Sequence, residues 1–330
     1  MSIKLNTIEF HSPIAFIIKQ FIEEKRICGY KYDDAPNILK KFDEFLYQKK
    51  LKRQELPQEL VIEWLNQKPK EKAMTQQRRV SLVRQLAKMM ARLDYSAYIV
   101  PAPFGAQRSY TFKPRVYTKN EVKKLIYAAD QIKPCAKSPM RHLIIPEIFR
   151  LLYGCGFRIS EVLNLRVRDV DLIRGVITIR DGKFNVDRLV PPALDMVKRL
   201  QIYAKKLEKY SLQKIKDDDF FFPSFRQTAW SVSGIYVLFL QMLHQCKMPH
   251  AGRGKGPRIH DFRHTFAVHR LIQWYEEGSD LTSKLPLLVT YMGHKDITGT
   301  QKYLHLTAEL FPNLTKRMNE KFGDAIPLWR

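Results

Sequence analysis

Between residues 98 and 118 the chain reads YIVPAPFGAQRSYTFKPRVYT, with three prolines, one glycine and no helical period. Proline lacks an amide hydrogen and clashes with the preceding turn, so no helix runs through this stretch. The segments on either side must each bury their own apolar residues. At 330 residues the chain is also too long for one ordinary domain. The expected division is residues 1–105, a linker at 106–116, and residues 117–330.

The first part reads as all helix. Ile14, Ile17, Ile18, Phe21 and Ile22 recur at helical spacing and stop at Gly29. Ile38, Phe42, Phe45 and Leu46 mark a second helix, and Leu60, Val61, Trp64 and Leu65 a third that starts near Pro57. A fourth turns Val80, Leu82, Val83, Leu86 and Met90 inward and leaves Arg78, Arg79, Arg84, Lys88 and Arg92 on its other positions. That basic face is either solvated or a phosphate contact.

The second part is expected to be mainly α with a small β insertion. Thr118 and Glu121 are spaced as a capping box. PEIFRLLYGCG reads as a helix from Pro146 to Gly154, and ISEVLNL as the next helix start. GVITIR is strand-like; the turn signal Asp181-Gly182 and a second strand through DRLVPP follow. Helix resumes near Ala193, with DDDFFFPS as a strand or loop joint. The loop HAGRGKGPR lacks the preceding strand and following Lys-Ser/Thr of a phosphate-binding P-loop, which excludes a nucleotide site there.

Composition narrows the partner. Lys and Arg number 57 against 33 acids, a formal charge of +24. Residues 1–105 carry 19 basic and 12 acidic side chains, so the excess is spread over both parts. This is the footprint of a polyanion partner, most often nucleic acid. The cysteines, Cys28, Cys135, Cys155 and Cys246, form no CxxC pair and suggest neither a zinc site nor a disulfide framework. No membrane span is expected, because Glu147 and Arg150 interrupt the most apolar stretch. The opening MSIKLNTIEFH is no signal peptide. A cytoplasmic, nucleoid-associated location is expected.

Tyr303 stands nine residues after His294 in YMGHKDITGTQKYLHL. A phenol with a pKa near 10 is a poor nucleophile at neutral pH. To attack a phosphodiester it needs cations on the phosphate oxygens and an acid for the leaving alkoxide. Arg158 lies at a helix start, where anions are favoured; it could equally pair with Glu161. Lys183 follows the hairpin turn signal and could reach bound DNA or serve as an acid. His260 and Arg263 share a helix face, three residues apart. His294 follows Gly293 at a turn, where its ring could donate to a phosphate. His264 and His269 are weaker candidates and read as packed or solvent-facing. Each residue alone is a weak signal; the ordered set is a strong one.

GFRISEVLNLRVRDVDL, HDFRHTF and MGHKDITGTQKYLH resemble the motifs of the tyrosine recombinase (phage integrase) family, over roughly residues 117–306. The resemblance implies a helical core-binding domain followed by an α+β catalytic domain. It implies that Tyr303 attacks the scissile phosphate, leaving a 3′-phosphotyrosyl link and a free 5′-hydroxyl. Arg158 and Arg263 would clamp the non-bridging oxygens, Lys183 protonate the leaving 5′-oxygen, His260 act in proton transfer and His294 hydrogen-bond the phosphate, with Glu161 in support. No cofactor and no metal is implied. Expected partners are double-stranded recombination sites, a homotetramer on synapsed DNA built from monomers free in solution, and accessory recombinases. Arg78, Arg79, Arg84, Lys88, Arg253 and Lys255 are the expected further DNA contacts. The KLPLLVTYMGH form resembles integrases carried by transposons. Two departures are the longer run from Gly278 to Gly293 and Gly299 in place of the usual Thr. A type IB topoisomerase-like enzyme and a catalytically inactive DNA-binding regulator are the alternatives. The tail residues Leu310, Phe311, Leu314, Met318 and Phe322 suggest a last helix that docks on its own domain or on a neighbouring subunit.

Overall fold

The computed structural model describes residues 8–30, 32–105, 114–180, 187–210, 214–252, 256–294 and 303. The chain divides into two compact units, residues 1–112 and 113–330. Lys183, Arg253, Lys255 and the tail from residue 304 lie outside the described residues.

The first unit contains α1 (Ala15–Ile27), α2 (Ala35–Gln48), α3 (Gln58–Leu65) and α4 (Ala73–Arg92). Their apolar stripes meet in one core that includes Ile18, Phe21, Leu39, Phe42, Leu46, Val61, Leu65, Val83 and Leu86. Two buried polar groups tie down the chain beside these helices. Asp43 accepts from the amides of His11 and Ser12 at 2.6 and 3.1 Å, and so fixes the entry to α1. Arg79 donates to the carbonyls of Trp64 and Asn66 at the end of α3 and pairs with Glu71 at 2.6 Å. The last carbonyls of a helix have no partner within it, and a cation there also suits the helix dipole.

Arg79 is therefore a correction to the basic DNA-contact face: it is buried, and its guanidinium serves α3. Arg84 donates to Val100 and Pro101, both at 2.8 Å, and ties down the chain after α4. Arg78 is exposed and pairs with Asp34, and Lys88 is exposed.

The second unit begins with the capping box expected at α5 (Lys119–Asp130). Glu121 N donates to Thr118 Oγ1 at 3.1 Å, and Thr118 N donates to Glu121 Oε2 at 2.8 Å. Helix α6 (Arg141–Gly154) starts before the Pro146 expected to open it. Ile144 and Ile145 pack into the core and carry the helix back one turn. Short α7 (Ile159–Leu163) leads to an antiparallel sheet of β1 (Val170–Asp171), β2 (Val176–Ile179) and β3 (Arg188–Val190). β1 was not anticipated. Ile179 pairs with Arg188, and the turn expected at Asp181-Gly182 lies outside the described residues.

Then come α8 (Leu194–Tyr210), α9 (Val232–Gln245), α10 (Asp261–Glu276) and α11 (Leu281–Met292). DDDFFFPS forms no strand. It makes a single bridge between Phe220 and Arg166, and Phe221 N donates to Leu165 O at 2.8 Å. Phe149, Phe239 and Phe262 centre the main core. Phe266, Leu271, Leu285, Leu288 and Met292 form a second cluster, which contains Tyr303. Among the described residues no helix is long and apolar enough to cross a membrane.

Candidate active site

Two glycine turns bring the site together. Gly156 has φ +62, a backbone that side-chain-bearing residues rarely adopt, and a Cβ there would lie 2.4 Å from the Phe266 ring. The turn delivers Arg158 to the N-cap of α7. Gly293, at φ +63, ends α11: Gly293 N donates to Thr290 O and His294 N to Val289 O, both at 3.0 Å. This pair of bonds is the Schellman motif, which uses glycine to turn the chain out of a helix. It places His294 immediately after the turn.

Arginines close the end of α11. Arg188 Nε donates to Tyr291 O at 3.0 Å, Arg263 Nη2 to Met292 O at 2.5 Å and Arg158 Nη2 to Gly293 O at 3.0 Å. Arg263 also donates to Gly156 O at 2.6 Å, so both glycine turns meet on one guanidinium. Glu161 links the other two arginines. It accepts from Arg188 Nη1 and Nη2 at 3.0 and 2.8 Å, from Arg158 Nη1 at 2.5 Å and from Arg158 N at 2.9 Å.

Burial and charge set the electrostatics. Arg263 is 1% exposed. Burial lowers its pKa to about 9, and the Arg158 charge adds to the drop. Burial alone would raise Glu161, but its bonds to Arg188 and Arg158 outweigh that and hold it at about 2. Three guanidiniums around one carboxylate leave an excess of positive charge, suited to a phosphate.

Tyr303 is 1% exposed, and its hydroxyl lies 3.0 Å from His264 Nδ1. The His264 ring meets His260 edge-on at 4.7 Å, and the His294 ring lies near-parallel to Tyr303 at 6.1 Å. Burial pushes the Tyr303 phenol up to about 12, while Arg263 and Arg158 pull it down. The fold thus gathers Arg158, Glu161, Arg263, His294 and Tyr303, with His260 joined through His264.

Sequence reasoning ranked one member of the cluster too low and missed another. His264, a weaker candidate read as packed or solvent-facing, is buried and bonded to the Tyr303 hydroxyl. Arg188 was not singled out, although the strand alternation holds a signal: Arg188 and Val190 face inward with Leu189 exposed between them. A cation on the inward face of a strand needs a partner. His269, by contrast, bonds Tyr153 at 3.0 Å. Among the described residues no group of three or more His, Cys, Asp or Glu could hold a metal ion.

Residues 115–309 match the phage integrase family. The chain is 30% identical over 312 residues to an integrase/recombinase, y4rB, of Sinorhizobium fredii, covering 93% of this chain and 97% of that protein. It is 27% identical over 217 residues to tyrosine recombinase XerA of Pyrococcus furiosus, covering 62% of each. Among solved structures, XerH recombinase in a post-cleavage complex with palindromic difH substrate aligns with a TM-score of 0.61 and 16% identity, over 96% of this chain and 90% of that one. The Tn1549 transposon integrase in complex with transposon right end DNA aligns at 0.59 and 17%, over 91% and 99%. At such identities the structural likeness is one of fold.

Proposed function

The chain belongs to the phage integrase family of site-specific recombinases, enzymes that cut and rejoin DNA, and from that premise we propose that Tyr303 is the nucleophile of a cluster that holds one scissile phosphate. The observation that carries the reading is the buried Tyr303 phenol, hydrogen-bonded to His264 and close to the His294 ring in the field of Arg263 and Arg158.

In the proposed reaction Arg158 and Arg263 turn N–H groups toward the two non-bridging oxygens. They neutralise the charge that develops there as the phosphorus becomes five-coordinate. The Tyr303 oxygen bonds to phosphorus and the bond to the 5′-oxygen breaks. Lys183 gives that oxygen a proton. The phenolic proton leaves toward the histidine row, where His264 Nδ1 is the nitrogen at hydrogen-bond distance and His260 the next ring. His294 donates to a non-bridging oxygen. The phosphotyrosyl bond conserves the energy of the broken diester, so a second 5′-hydroxyl can reverse the step and join a new strand.

Strand exchange needs partners, and the working assembly in this reading is a homotetramer on two synapsed sites, built from monomers and joined by accessory recombinases. The charge of +24 supports tight DNA binding at low salt, with the protein held at the nucleoid. Arg78, Lys88, Arg253 and Lys255 are proposed backbone contacts, and a transposon-borne role is the proposed biological setting.

A suicide duplex nicked near the scissile phosphate tests the reading. Wild-type protein should accumulate a covalent adduct, in EDTA and without nucleotide. Tyr303→Phe should bind the same duplex and form none. An adduct that persists in Tyr303→Phe moves the nucleophile elsewhere.

A further inference from the structure

Arg188 has no part in the roles assigned above, yet its side chain joins two parts of the site, the Glu161 carboxylate and the end of α11. Its guanidinium is buried, grips both oxygens of Glu161 and donates Nε–H to Tyr291 O. Glu161 in turn holds Arg158 by its side chain and its amide. Three consecutive carbonyls at the end of α11, those of Tyr291, Met292 and Gly293, thus end on three different arginines. The chain passes so close to Arg188 that a Cβ on Gly293 would lie 2.9 Å from its Nη1. Arg188 also opens β3, directly after the connection that contains Lys183.

We propose that Arg188 is a positioning residue for the phosphate chemistry: it fixes the Glu161 carboxylate, and through it the plane of Arg158, while its Nε–H fixes the turn that carries His294. The inference rests on the reading that Arg158 and Arg263 hold the scissile phosphate. Its physical basis is competition for donors. An Arg–carboxylate fork satisfies both oxygens in a fixed plane. With Arg188 in place, Glu161 is neutralised by a group that never needs to leave it. Arg158 then spends one N–H on the carboxylate and one on Gly293 O and keeps its remaining donors for a phosphate. Without Arg188, the carboxylate keeps Arg158 as its one hydrogen-bonded guanidinium among the described residues and draws it into a fork of its own, turned away from the phosphate. Lysine at 188 would restore the charge but not the fork, because its ammonium is a point charge.

The experiment compares Arg188→Met, Arg188→Lys and Arg158→Ala on two suicide duplexes, one with an ordinary scissile phosphate and one with a methylphosphonate. Replacing a non-bridging oxygen by methyl removes the charge that Arg158 would neutralise. Binding is measured separately, and adduct formation is followed at saturating protein. Arg188→Met should bind DNA within about threefold of wild type, because binding rests on many phosphate contacts. On the ordinary duplex it should cleave about 10²-fold more slowly, the scale of a misplaced catalytic group. On the methylphosphonate its deficit should shrink by about tenfold or more, in parallel with that of Arg158→Ala, because that substrate no longer carries the charge both variants fail to neutralise. Arg188→Lys should fall between wild type and Arg188→Met.

A wild-type cleavage rate in Arg188→Met overturns the proposal. So does an equal deficit on both duplexes while that of Arg158→Ala shrinks, since general damage to the fold does not depend on the charge of the substrate. If Arg188→Met fails to melt cooperatively, the same comparison with Arg188→Lys decides. If Arg158→Ala cleaves the ordinary duplex normally, the phosphate-clamp reading itself fails, a result distinct from either outcome at Arg188.

Discussion

Replacing Glu161 by Gln removes one negative charge from among three guanidiniums. The carboxylate lies at about 2 in the folded protein against an ordinary 4.5: burial opposes ionisation, and the Arg188 and Arg158 bonds more than offset it. That difference corresponds to about 3 kcal/mol of stability at neutral pH. Breaking a buried ion pair from one side costs about 3–5 kcal/mol, so two routes give the same size of effect. The sign follows from the depressed pKa. The stabilisation is fully present above about 4.5 and is lost as the pH falls toward 2. The assay is urea unfolding at several pH values, read by tryptophan fluorescence in a Trp64→Phe background so that the signal comes from the second unit. Glu161→Gln should be less stable by about 3 kcal/mol at pH 7, and the gap should fall by about half near pH 3. A gap below about 1 kcal/mol at pH 7, within the range of an exposed ion pair, would refute the reasoning. So would a gap that does not change with pH.

Three further outcomes are expected. His264→Phe should keep DNA binding but form adduct about tenfold more slowly or worse, with His264→Asn recovering part of the rate through its Oδ1; equal rates in Phe and wild type would make the Tyr303 contact incidental. Gly293→Ala should destabilise the second unit by about 1–3 kcal/mol and slow cleavage, because the turn needs positive φ and Arg188 fills the space; thermal melting and single-turnover cleavage check both. Lys183→Ala should be impaired on an ordinary duplex and largely rescued by a 5′-bridging sulfur at the scissile phosphate, because a thiolate leaves without an acid; equal impairment on both would mean that Lys183 only positions DNA.

Residues whose role follows from local spacing were legible in the sequence. The apolar stripes of α1 to α4, the Thr118–Glu121 box and the turn at Gly293 each depend on neighbours a few positions away. Arg158, His260, Arg263, His294 and Tyr303 were legible as an ordered set of residue types. Residues whose role depends on distant partners were not. Arg188 meets Glu161 across 27 positions and Tyr291 across 103. His264 meets Tyr303 across 39. Arg79 sits on what looks like the polar face of α4, but the end of α3 with its open carbonyls covers that position and takes the guanidinium inside. The early start of α6 has the same origin. Proline signals a helix start locally, and the burial of Ile144 and Ile145 overrides it.

The central claim is that one side chain, Tyr303, becomes bonded to DNA. Its most direct test is to trap the adduct on a suicide duplex, digest protein and DNA, and locate the modified residue by mass spectrometry. The account predicts a single nucleotide-bearing peptide, modified on Tyr303 through a 3′-phosphate, with a free 5′-hydroxyl on the released strand. A phosphotyrosyl link at Tyr291 or any other residue, or a 5′-phosphate on the protein, would contradict it.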